Sequence, residues 1–113
     1  MSKEIIVTDP VTGGKKGSKL ARYDLIPVKP LWKVAELYGR GSEKYADRNW
    51  ELGYKWSLSY AAMMRHANLF WGGESYDSET GAHHLASVVF HAMALMEFEE
   101  QEKGTDDRSK TAE

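Results

Sequence analysis

The chain contains no cysteine. Disulfide bonding and thiolate metal ligation are therefore excluded, and any metal must be held by nitrogen and oxygen donors. Only three prolines occur in 113 residues, so long stretches are free to form helices. No apolar run approaches the roughly 18 residues of a membrane span, and no basic start leads into an apolar leader, so a cytoplasmic setting is expected. Long basic runs are missing too, so no polymeric nucleic acid is expected as a partner.

What is present is enough for one small domain: 42% of residues are apolar. The formal net charge of −2 conceals an asymmetry. Residues 1–48 hold ten Lys/Arg against six Asp/Glu, and the remainder holds five against eleven. A small polyanion bound with a divalent cation would need both signs close together.

Element signals fall into three zones. Residues 1–30 read as an extended arm with a basic loop. "KEIIVTDPVTGG" has a β-branched run closed by turn residues, "GGKKGSK" is flexible, and "LARYDLIPVKP" is pinned by Pro27 and Pro30. Residues 31–98 read as a helical domain, the part to which any ligand site belongs. Leu31, Val34, Ala35 and Tyr38 recur at helical spacing, and Gly39 and Gly41 are expected to break that helix. Ser57 is placed to cap a second, with Tyr60, Met63, Met64, Ala67, Phe70 and Trp71 on its apolar face. Leu85, Val88, Val89, Ala92, Leu95 and Met96 mark a third. Residues 99–113 read as a charged, disordered tail. The expected architecture is all-α, a small helical bundle with an extended N-terminal arm. Helices this short cannot seal a large core, so a homo-oligomer is expected.

All four histidines, His66, His83, His84 and His91, lie between Arg65 and Ala92 and flank a loop carrying Glu74, Asp77 and Glu79. The acids are hard oxygen donors for Mg²⁺ or Mn²⁺, and imidazole among the ligands favours Mn²⁺ or another transition ion. The alternative is an ordinary interhelical loop in which Asp77 or Ser78 caps the next helix and the histidines bond only to protein. Lys15, Lys16, Lys19 and Arg22 surround the Gly-rich segment, which lacks P-loop spacing. Arg65, on an otherwise apolar helix, needs a partner or a ligand. The abundant aromatics are mostly packing, with one or two free to stack on a base.

Three segments in order, "KLARYDLIP", "YGRGSEKYADRNW" and "RHANLFWGGESYDSETGAHHL", resemble the small phage-associated proteins of the dATP/dGTP diphosphohydrolase-like family. That family is in turn similar to the all-α, MazG-like nucleotide pyrophosphatases. The resemblance implies cleavage of a dNTP to the monophosphate and pyrophosphate, Mg²⁺ or Mn²⁺ as cofactor, and an oligomer sharing helices. The superfamily's metal helices carry E-E-x-x-E and E-x-x-D. Here Arg65-His66-Ala67-Asn68 and His84-Leu85-Ala86-Ser87 stand in those places.

Carried onto this chain, Lys19, Arg22, Lys44 and Arg65 are assigned to phosphates, and Asn49 and Trp50 to the base. Glu74, Asp77, Glu79, His84 and His91 are the metal candidates, with His66, Glu74 and His84 catalytic. The expected function is metal-dependent hydrolysis of purine deoxynucleoside triphosphates in phage nucleotide metabolism, in the host cytoplasm. The alternative is a non-catalytic module that sequesters a nucleotide or a nucleotide-derived defence signal.

Overall fold

The structure, a computed structural model, describes residues 4–110. The first three residues of the expected arm and the last three of the expected tail lie outside the described residues. The chain is mostly helical, with one two-stranded sheet that the all-α expectation omitted.

The arm begins as a β-hairpin. Strand β1 (Ile5–Thr8) pairs antiparallel with β2 (Lys15–Ser18), with Ile5 opposite Ser18 and Thr8 opposite Lys15. Asp9 builds the turn: its carboxylate accepts the Val11 and Thr12 N–H groups, both at 2.8 Å.

Helix α1 (Val28–Lys44) starts three residues before the expected position. Pro30 sits in its first turn, where the missing N–H has no partner to lose. The expected break at Gly39 and Gly41 does not occur, because the helix runs through both. Each glycine costs about 1 kcal/mol of helix propensity, and packing of the stripe on the last helix offsets it. Val34 is buried, and the Tyr38 ring lies 4.7 Å from Phe90. After α1 the chain makes one 3-10 turn, Asn49–Leu52. That turn seats Trp50 among Tyr38, Phe90 and Phe98.

Helices α2 (Trp56–Trp71) and α3 (His84–Gln101) pack against each other as the main framework. Ala94 and Phe98 on α3 are fully buried. Ser57 does not cap α2, which begins one residue earlier. The cap is supplied by the segment expected to be a disordered tail. The Trp56 N–H donates to the Thr105 carbonyl (3.0 Å), and the Ser57 N–H to the Asp107 carboxylate (2.9 Å). The four unsatisfied amides at a helix start recruit acceptors wherever the chain can bring them. Glu99–Gln101 are helical, Glu102 and Gly104 take positive φ, and residues 103–108 turn back onto α2. Gly104 is needed there, since a Cβ at this position would strike the Tyr54 backbone.

The loop joining α2 to α3 is also ordered by its own backbone. Gly73 and Gly81 adopt positive φ, the Asp77 N–H donates to Ala82 O, and the His84 N–H to Ser75 O. These bonds bring the acids back over the start of α3.

Candidate metal centre

Helices α2 and α3 present two rungs of side chains to each other. Ser59 and His66 lie two turns apart on α2, and His84 and His91 lie two turns apart on α3. Antiparallel packing sets Ser59 opposite His91 and His66 opposite His84. The Ser59 hydroxyl is 3.0 Å from His91 Nδ1, and the two Nδ1 atoms of His66 and His84 are 2.8 Å apart.

His84 is fully buried and engaged at both nitrogens. Its Nε2 lies 2.9 Å from Glu74 Oε1. A carboxylate only accepts, so Nε2–H donates to Glu74 and the Nδ1 of a neutral His84 holds a lone pair. The hydrogen of the His66–His84 contact then sits on His66 Nδ1. Asp77 completes the cluster, with Oδ2 3.9 Å from His66 Nδ1 while its Oδ1 accepts the Glu79 N–H at 2.8 Å. One donor atom each from His66, Asp77 and His84 lies within 4.8 Å of the others.

A groove of about 1050 Å³ opens beside this cluster and includes His66, Asp77 and His91 in its wall. Its other walls carry Tyr38, Trp50 and Phe90, and the basic residues Arg40, Lys44 and Arg48. Arg40 also donates to Thr80 O at 2.6 Å, which ties α1 to the acidic loop.

A family model described as dATP/dGTP diphosphohydrolase, N-terminal, matches residues 10–108. The chain belongs to this family. No curated protein and no solved structure matches it.

Within this diphosphohydrolase family member, the donor chemistry fits a divalent ion of the first transition row. Two imidazoles and one carboxylate suit Mn²⁺, Fe²⁺ or Zn²⁺ better than Mg²⁺, which prefers oxygen alone. Burial, aided by His84, holds His66 below the usual imidazole pKa, against the pull of Asp77. Burial lowers His91 further, to about 4, with His66 and Arg65 adding repulsion. Both are neutral near pH 7, the state a metal ligand requires.

The other sequence-assigned residues divide sharply. Lys44, Asn49 and Trp50 line the groove. Glu74 contacts His84 rather than standing with the three clustered donors, and His91 contacts Ser59. Glu79 is exposed and meets the cluster only through its backbone. Lys19, Arg22 and Arg65 do not line the groove; Arg22 instead grips Asp24 with two hydrogen bonds, at 2.8 and 2.6 Å. Asp77 and Ser78 do not cap α3, because His83 Nδ1 accepts the Leu85 N–H in that role.

Sequence reasoning overlooked Arg40, Arg48, Tyr54 and Ser59. Arg40 and Lys44 share a face only if α1 continues through its glycines. Ser59 is fully buried and bonds both His91 and, at 2.5 Å, the Tyr54 hydroxyl. Its seven-residue spacing to His66, matching that of His84 and His91, was the available signal.

Proposed function

We propose that the chain hydrolyses purine deoxynucleoside triphosphates to the monophosphate and pyrophosphate, using a divalent cation held by His66, Asp77 and His84. The observation that carries this reading is the approach of those three donors within 4.8 Å at the wall of a groove with aromatic and basic sides. When bound, the cation supplies charge neutralisation for phosphate oxygens and polarises water.

The chain's own groups divide the remaining work. Glu74 holds the His84 ring, with its Nδ1 lone pair facing the cluster, as carboxylates commonly do for metal-binding histidines. For His66 Nδ1 to serve as a ligand beside His84 Nδ1, the His66 ring would carry its proton on Nε2. Arg40, Lys44 and Arg48 take the phosphates. Asn49, Trp50 and Tyr38 border the base. Water oxygen attacks the α-phosphorus, the bridging bond to the β-phosphate breaks, and pyrophosphate leaves. The proton released by the water passes to solvent. The reaction belongs to the cytoplasm of a host cell, as an adjustment of its nucleotide pool by a phage protein.

A second reading is favoured by one observation: Asp77 is the only carboxylate among the three clustered donors. A site poor in carboxylates suits retention of a nucleotide, or of a signal derived from one, without cleavage. Incubation with a panel of dNTPs and NTPs plus Mn²⁺ or Mg²⁺, followed by anion-exchange separation, decides between them. Release of dAMP or dGMP with pyrophosphate is expected. Saturable nucleotide binding with no product would overturn hydrolysis in favour of sequestration.

A further inference from the structure

The chain exposes far more surface than its mass explains. A folded monomer of 12.8 kDa should expose about 6300 Å², whereas this one exposes 9290 Å². Its radius of gyration is 18.4 Å, against about 13 Å for a compact chain of this length. The excess, roughly 3000 Å² on one chain, lies above the range of about 1000–2500 Å² that each partner of an obligate interface commonly buries.

Two features hold much of that surface. The β1–β2 hairpin makes no extensive contact with any helix, and Ile5, Ile6 and Val7 are 67%, 62% and 53% exposed. An isolated two-stranded hairpin is marginal in water, so this one needs a surface to lie on. On α3, Leu85, Val89 and Met96 form one exposed stripe, with Met93 at its edge against the groove.

The charges of these two features match. Lys15, Lys16 and Lys19 follow one another beside the apolar strand. Glu97, Glu99, Glu100 and Glu102 crowd the end of α3, whose last turn has no basic residue. Acids at a helix C-terminus oppose its dipole, and within the chain Arg108 approaches only Glu99 among these four, at 3.7 Å. Apolar strand with basic neighbour, and apolar stripe with acidic end, are complementary surfaces on one chain.

We propose that two copies of this chain embrace, each laying its N-terminal hairpin across the α3 stripe of the other. The basic strand meets the glutamates, and a two-fold axis makes the exchange reciprocal. The proposal is independent of the metal-centre reading.

The absence of native cysteine makes the test direct. V7C and V89C single variants are mixed under mild oxidation, with size measured by light scattering. A dimer at micromolar concentration and a disulfide between the two different variants are expected. Reversal to K15E/K16E, or separately to E99K/E100K, should weaken the dimer at least tenfold, and mixing the two reversed proteins should restore it. A monomer, or a dimer showing neither the cross-link nor charge rescue, overturns the proposal.

Discussion

His66 and His84 meet through their Nδ1 atoms at 2.8 Å, across the α2–α3 interface. Two imidazoles in that arrangement either share a proton or share a cation. Asp77 Oδ2 stands 3.9 Å from His66 Nδ1, so the three donors would draw together on a cation. Mn²⁺ should therefore raise the melting temperature and give a bound signal by electron paramagnetic resonance. H66A, H84A and D77A should each abolish that signal. E74Q should retain it with affinity reduced about 10–100-fold, because Glu74 acts through the His84 ring. An E74Q variant with unchanged affinity would remove Glu74 from the site.

Acid should weaken the fold through His91 and His66. Both have folded-state pKa values below the ordinary 6.5, His91 at about 4. Between those values the unfolded chain binds more protons, so stability is full above pH 6.5 and falls as pH drops toward 4. The slope from one such ring stays below about 1.4 kcal/mol per pH unit, and exposure reduces it. Urea titrations between pH 4.5 and 7.5 measure it, and H91Q should flatten the dependence.

The two kinds of glycine should respond in opposite directions to alanine. Gly39 lies within α1, with open space where a Cβ would go. G39A should stabilise by about 0.5–1 kcal/mol through helix propensity. Gly104 has φ +71° and meets the Tyr54 backbone, which cannot give way. G104A should destabilise by at least about 2 kcal/mol, since strain and clash combine. Chemical denaturation reads both.

Asp107 caps α2 from the far end of the chain, accepting from the Ser57 amide and hydroxyl. D107A should lower the melting temperature by a few degrees, as loss of an N-cap does. D107N should retain most of the stability, because its side-chain oxygen still accepts the amide. Equal losses in both variants would mean that charge, not the hydrogen bond, holds the segment.

Substitution along the groove should separate binding from folding. K44A should weaken triphosphate binding by about 1.5–3 kcal/mol while leaving the melting temperature nearly unchanged. R22A, whose guanidinium is held by Asp24 outside the groove, should leave binding near that of the wild type unless a neighbouring copy brings it in. Isothermal titration with a non-hydrolysable dATP analogue checks both.

Local pattern alone determined the three helical segments, the apolar stripes and the histidine–acid stretch. Those features follow from periodicity and residue chemistry, which need no knowledge of distant partners. Tertiary structure decided what local propensity could not. Gly39 and Gly41 remain helical because α1 packs on Phe90, and residues 103–107 turn back because the first amides of α2 need acceptors. Which histidine faces which group depends on the antiparallel register of α2 and α3. His66 meets His84, while His91 meets a serine that no motif marked. Side chains 18 and 32 residues apart are joined by that register alone, since helix packing aligns whole faces rather than neighbours in sequence.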